Sequence, residues 1–347
     1  MVSLTNNLLP VLQLTRMALV FTAIADSLCA LMLWARWEND PAVLSPWRIF
    51  GVVIVSIGLY GFGMTLNDII DRRRDRTIAA HRPLPSGRIG LMTAYAICLL
   101  LGALTLIGGI ILITTAPPGD RAAGWASMLL IVWTATLIVF YDLAGKYLVA
   151  VGLLTLGFVR FFHALVPAPQ WPLVWHPLLL LNHVTILSAV AYRWEQKRPT
   201  LTDAHWRGLL GALGLVNGMV IGLVCWLRYR PGATLAEILW IQPGLLLPVV
   251  AMLLFVAVAY SVYWWSDTPR QAGQNVMLYG LLWLIVYDAS FVAGYVDWVW
   301  GLALITLLPV SFLSVQAMRW WSRLMSLSQR PAFKRARHMD DPPHIGE

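Results

Sequence analysis

The chain has 347 residues, 59% of them hydrophobic and only 12% charged, about half the charged share of a soluble globular domain, roughly 25%. Its 25 Lys and Arg against 17 Asp and Glu give a formal charge of +8. These cations cluster in a few stretches between apolar runs, which excludes the solvated basic face of a nucleic-acid binder. Cys29, Cys98 and Cys225 lie inside apolar runs without metal-ligand spacing, so neither a disulfide framework nor a zinc site is expected, and they read as small packing residues.

Apolar runs close to the roughly 20 residues that cross a hydrocarbon core predict spans at 16–35, 47–68, 90–115, 125–142, 148–166, 176–194, 207–227, 241–264, 273–293 and 298–318. The first follows Arg16 and has no small-residue cleavage site, so it reads as a retained span. The fold class is all-α: a polytopic membrane bundle of nine to ten helices with no room for a soluble domain. Residues 1–325 form one membrane domain, and residues 326–347 form a basic tail expected to be disordered and cytoplasmic. Tryptophans such as Trp34, Trp47, Trp125, Trp175, Trp264, Trp298 and Trp320 flank the runs, as amphipathic rings do at headgroup level.

The basic stretches 72–88, Lys146, 193–207 and the tail bearing Arg319, Lys334, Arg335 and Arg337 are expected on the cytoplasmic side. Ten spans from a cytoplasmic N-terminus bring all four to that side, whereas nine would put the tail outside. A bacterial inner (cytoplasmic) membrane is the expected location.

The second run ends in Asn67-Asp68-Ile69-Ile70-Asp71-Arg72-Arg73-Arg74-Asp75. On a helix these spacings bring Asn67, Asp68, Asp71 and Asp75 to one face over two turns. Mg²⁺ takes such hard oxygen ligands and completes its shell with water and substrate phosphate, and neighbouring arginines suit the same phosphates. The plainer reading is a solvated helix end with topology-setting arginines. Arg82-Pro83-Leu84-Pro85-Ser86-Gly87 cannot continue a helix. It is expected to be a rigid loop that returns Arg82 to the aspartates, or simply the turn between two spans.

The run from Asn67 to Gly87 resembles the first signature of the UbiA superfamily of intramembrane prenyltransferases. The resemblance implies about nine membrane helices around a central cavity with a lateral opening to membrane lipids. It assigns Asn67, Asp68, Asp71 and Asp75 to Mg²⁺ and to the diphosphate of an isoprenyl diphosphate. It further implies a substrate role for Tyr141, in Tyr141-Asp142-Leu143-Ala144-Gly145-Lys146, and a diphosphate contact for Lys146, which also reads as an ordinary positive-inside lysine. Arg160, about twelve residues into the fifth span, is expected to face the cavity, as a donor to diphosphate or as partner of an intramembrane carboxylate.

After the sixth span such proteins carry a second aspartate motif, where this chain has Ala191-Tyr192-Arg193-Trp194-Glu195-Gln196-Lys197-Arg198-Pro199. Glu195 is the one carboxylate there, either a substitute ligand or a neutraliser of Arg193 or Arg198. A lone glutamate in this place resembles an EboC-like branch, as do Arg16 and Asp26 in the first span. Asp26 and Asp288 lie deep in predicted spans, where an unpaired charge is costly. They read as cavity groups, as a partner for Arg160, or as interhelical ties, and Asn182 and His183 are treated alike. Tyr192 and Asp26 are candidates for positioning an acceptor. The implied activity is Mg²⁺-dependent transfer of a prenyl group to an unidentified aromatic or lipid-like acceptor; the alternative is a non-catalytic carrier of isoprenoid or lipid diphosphates.

Overall fold

A computed structural model describes residues 2–117 and 121–328, with side chains for residues 8–117 and 121–321. Beyond residue 328 the predicted basic tail, including Lys334, Arg335 and Arg337, lies outside the described residues. Among the described residues there is no strand.

A short helix α1 (Val2–Leu14) breaks at Arg16, whose backbone is left-handed (φ 48°), and a 3-10 turn leads into α2 (Val20–Glu38). Pro46 at the first turn and the Ser45 side chain, which accepts from Arg48 N, start α3 (Pro46–Ile78). There follow α4 (Leu91–Thr114), α5 (Arg121–Leu143), α6 (Val149–Leu165) and α7 (Trp175–Trp194). The chain continues through α8 (Asp203–Arg228), a single turn α9 (Leu235–Ile238), α10 (Leu246–Trp265) and α11 (Pro269–Tyr295). The last crossing is interrupted at Thr306 and divides into α12 (Trp298–Ile305) and α13 (Leu307–Ser328).

Nine helices and the pair α12–α13 occupy the ten predicted runs. Eight of them are long and apolar enough to span a membrane. The other two are α6, with 17 residues, and α7, which carries His176, Asn182, His183 and Arg193. The helix α1 precedes the first predicted run and, with 13 residues, is too short to cross. One difference from expectation stands out. The second helix runs ten residues past the predicted end at 68: its 33 residues extend about 50 Å at 1.5 Å per residue, against a hydrocarbon core of roughly 30 Å. Its last third therefore stands in the polar layer, carried there by the aspartate face.

The helices α2, α3, α7 and α11 are buried on much of their surface, whereas α8 and α10 present most of theirs outward. Leu99, Leu100 and Ile107 on α4 and Leu253, Val256 and Trp264 on α10 are exposed, as apolar side chains facing lipid must be. Between helices the lipid offers no hydrophobic drive, so close backbone approach and interhelical hydrogen bonds hold the bundle. A β-carbon at Gly157 would lie 2.7 Å from the Leu181 carbonyl oxygen, which brings α6 hard against α7. Asn182 and Asn217 exchange two amide bonds of 2.9 Å between α7 and α8. His183 Nε2 lies 3.0 Å from the Gly280 carbonyl oxygen and its Nδ1 3.2 Å from the Tyr287 hydroxyl. Asn182 and His183 are therefore helix ties.

Replacing Gly157 by Leu forces α6 and α7 apart and is expected to cost about 1–3 kcal/mol, read as a lowered thermal unfolding midpoint in detergent. Gly214 of α8 has open space around it, so Gly214→Leu should leave the midpoint unchanged or raise it; equal loss in both would refute this packing.

Candidate active site

The end of α3 puts Asp68, Asp71 and Asp75 on one buried face while Arg73 and Arg74 point to solvent, as the helical spacing requires. Each carboxylate meets a cation, mostly from a different segment. At the α1–α2 break Arg16 reaches Asp68 at 3.2 Å. From α5's trailing turn Lys146 reaches Asp71 at 2.6 Å, and Arg74 caps the other Asp71 oxygen at 2.7 Å. Arg82 reaches Asp75 at 2.5 Å and Asp68 at 3.6 Å.

Arg82 is delivered by the loop after α3, where Ser86 N donates to the Arg82 carbonyl and Ile89 N to the Pro83 carbonyl. Gly87 adopts φ 77°, which a glycine accepts without strain. Leu84 and Ile89 anchor the loop beneath α1, against Leu14 and Ala94. The segment 82–87 is thus the compact loop expected, with its arginine returned to the aspartates.

Beside this network Asn67 Nδ2 donates to Asp142 Oδ1 at 2.6 Å, and Lys146 Nζ lies 3.8 Å from the same oxygen. Asp142 is buried on α5. With its nitrogen so engaged, Asn67 has its amide oxygen left as a ligand atom. Asp75 Oδ1 is buried without a hydrogen-bond partner, with Arg74 Nε 3.9 Å away. Three carboxylates and an amide oxygen on one helix end make an all-oxygen donor set of the kind hard divalent cations take.

The network adjoins a cavity of about 410 Å³. Arg16, Asn67, Tyr141, Asp142, Glu195 and Lys197 contribute its polar wall, Leu59, Ile138, Leu156, Val184 and Leu281 part of its apolar wall, and Arg160 and His163 line it farther along α6. Asp68, Asp71, Asp75 and Lys146 sit beside the polar end in their ion pairs.

Of the two roles expected for Arg160, the geometry supplies one. Arg160 stands eleven residues beyond the start of α6, roughly 16 Å along the axis, and donates to Asp26 Oδ2 (2.6 Å) and to Thr22 Oγ1 (2.8 Å). It is the partner of an intramembrane carboxylate, not a member of the aspartate network. Asp26 is fully buried behind it and does not line the cavity. Tyr192 donates to the Pro199 carbonyl at 2.6 Å and is absent from the cavity wall, because its ring packs with Ala189, Leu201 and Leu209. Asp26 thus takes the other role expected of it, partner of Arg160, and Tyr192 stands outside the cavity wall.

Glu195 does line the cavity, but its ionic partner is Lys197 at 3.1 Å, while Arg193 faces Asp203 at 3.6 Å. Sequence reasoning passed over Asp142, Lys197 and His163 as site residues. Asp142 and Lys197 stood inside the quoted stretches, so their signal was present; His163 carried none beyond lying three residues after Arg160.

The Lys146 and Asp71 side chains are 9% and 5% exposed; removing one leaves Asp71 with Arg74 or Lys146 with Asp142, a cost below the roughly 3–5 kcal/mol of a buried charge left alone. Lys146→Met should lower the unfolding midpoint clearly more than Arg73→Met. Adding Asp71→Asn to Lys146→Met should recover part of the loss; additive losses would contradict the pairing.

The sequence model of the UbiA prenyltransferase family matches residues 18–198, from the start of α2 through Glu195 and more than half of the chain. No curated protein matches. Two solved structures are similar. One was described in work on digeranylgeranylglyceryl phosphate synthase in membranes, with a TM-score of 0.56 and 19% identity over 84% of this chain and 99% of that one. The other is a UbiA homolog from Archaeoglobus fulgidus, with a TM-score of 0.53 and 15% identity over 86% of this chain and 99% of that one. At such identities the likeness speaks to the fold, and the family match speaks to membership: this integral membrane protein belongs to the UbiA prenyltransferase family.

Proposed function

We propose that the protein transfers a prenyl group from an isoprenyl diphosphate to an acceptor within the membrane, with Mg²⁺ as cofactor. The observation that carries this reading is the convergence at the α3 end: three buried aspartates and Asn67 meet Arg16, Arg82 and Lys146 from three other segments beside an apolar-walled cavity. The oxygen-only donors and the unpartnered Asp75 oxygen fit Mg²⁺ held by Asn67, Asp68, Asp71 and Asp75. Such an ion supplies positive charge where the leaving diphosphate gathers negative charge.

Lys146 and Arg82 stand beside the same oxygens and serve as donors to the diphosphate, with Arg16 completing the cationic rim. As the bond between C1 and the diphosphate oxygen breaks, its electron pair leaves with pyrophosphate, and C1 becomes electron-poor. Leu59, Ile138, Leu156 and Leu281 give the prenyl chain an apolar bed and keep out water that would quench that carbon. The acceptor supplies the electron pair of the new bond to C1 and loses a proton. Tyr141 and Glu195, on the polar wall, are the groups placed to meet it. The basic stretches 72–88, Lys146 and 193–207 gather at this polar end, in keeping with a cytoplasmic face, and residues 1–325 act as one unit.

A second reading, a carrier that binds the diphosphate without cleaving it, is favoured by one observation. Where a second carboxylate cluster would be expected, Glu195 is ion-paired with Lys197. It is also this lone glutamate that keeps the EboC-like branch in view.

The purified protein in detergent, given isoprenyl diphosphates of several lengths with a membrane lipid and quinone-precursor extract, should release pyrophosphate only with Mg²⁺. Asp68→Asn and Asp71→Asn should each reduce release at least about a hundredfold while leaving the protein inserted and folded. Full activity in both would sink the metal assignment, and diphosphate binding without release would favour the carrier. Glu195→Gln should move the Mg²⁺ requirement to higher concentration; an unchanged titration would reduce Glu195 to the partner of Lys197.

A further inference from the structure

Away from the aspartate network, three helices bring a second set of ligating groups together. Cys29 of α2, His176 of α7 and Asp288 of α11 each offer one atom, a thiol sulfur, a ring nitrogen and a carboxylate oxygen, all within 4.8 Å of one another. The three residues are buried at 0%, 1% and 0% exposure. His176 Nε2 stands 2.7 Å from Asp288 Oδ1. The other Asp288 oxygen is buried without a hydrogen-bond partner, and so is Asp26 Oδ1, one turn before Cys29 on the same helix. Asp26 is matched by Arg160, whereas among the described residues the ion-pair partner of Asp288 is His176 alone.

We infer that Cys29, His176 and Asp288 form a binding site for a divalent cation of the zinc class, which pins α2, α7 and α11 together. The ligand chemistry selects the ion. Thiolate, imidazole and carboxylate are the donors zinc takes, whereas Mg²⁺ avoids sulfur and nitrogen. Charge balance agrees: a divalent ion with one thiolate, one carboxylate and a neutral imidazole sums to zero, the state a water-poor interior tolerates.

Binding would also give the unpartnered Asp288 oxygen a partner. Asp288 is nineteen residues into α11, roughly 28 Å from its start. That start lies near Glu195, since a β-carbon on Gly273 would be 2.7 Å from Glu195 Cγ. The site is therefore toward the opposite end of the bundle from the proposed diphosphate site and does not depend on that reading. A void of about 10 Å³, lined by His176, Leu33 and Trp171 among others, adjoins it and has room for about one water.

The metal-free alternative is a proton shared by the Asp26 and Asp288 carboxyls, which lie within hydrogen-bonding reach of each other. Elemental analysis of the full-length protein, loaded with Zn²⁺ in detergent and desalted over a weak chelator, separates the two. The expected result is one zinc per chain, with affinity at least about tenfold weaker in Cys29→Ala and in Asp288→Asn, and unchanged retention in Asp71→Asn. No retained zinc in the unmodified protein, or equal retention after Cys29→Ala, would overturn the site. So would loss of zinc only with Asp71→Asn. Should the variants fail to fold, titrating the unmodified protein with Co²⁺ decides the matter. A thiolate-to-cobalt charge-transfer band saturating at one equivalent supports the site, and its absence overturns it.

Discussion

Everything at the polar end of this bundle depends on neutralising the carboxylates that α3 carries into a partly dry interface. Asp68, Asp71 and Asp75 are each less than a tenth exposed, and a buried carboxylate without a counter-charge is costly. The neutralising cations come from Arg16 at the α1–α2 break, Arg82 in the loop after α3 and Lys146 in the turn after α5. The left-handed backbone at Arg16, the compact loop ending at Gly87 and the tight turn around Gly145 each deliver one cation to the same place. Removing any of these devices takes a counter-charge from a buried carboxylate, so the pairing fixes the loops as much as the loops fix the pairing.

Under the proposed function, the same cations would give the site its selectivity. Carboxylates paired with Arg and Lys form a nearly neutral cluster, and a ligand that brings both a divalent cation and a diphosphate can exchange partners with it without changing the local charge greatly. A bare anion would leave the aspartates repelling it, and a bare cation would leave the arginines doing so. The apolar walls beyond, with Arg160 already matched to Asp26, offer no free cation to hold a second phosphate deeper in the membrane.

Much of this was legible in the sequence. Each of the ten apolar runs coincides with a helix or, for the last, a helix pair, and eight of these are long and apolar enough to span a membrane, because length and hydropathy are what a bilayer selects. The aspartate face followed from helical spacing, and Arg82's return from the prolines that stop α3. The exceptions share a cause. Arg160 was read as facing the diphosphate or a carboxylate, and only the three-dimensional register of α2 against α6 decides for Asp26. Tyr192 stands three residues before Glu195 in sequence yet packs against Leu201 and Leu209 while Glu195 lines the cavity. Asp142 was quoted within its motif, but its value lies in the amide it receives from Asn67, seventy-five residues away. Cys29, His176 and Asp288 carry no spacing signal, since each comes from a separate helix.

The most direct test of the central claim is a crystal structure of the protein with Mn²⁺ in place of Mg²⁺ and an isoprenyl thiolodiphosphate that resists cleavage. The account predicts an anomalous manganese peak among Asn67, Asp68, Asp71 and Asp75, with the diphosphate between it and Lys146 and Arg82 and the isoprenoid chain along the cavity toward Arg160. A diphosphate bound elsewhere, or manganese absent from the α3 end while the four cations stay locked on the aspartates, would contradict it.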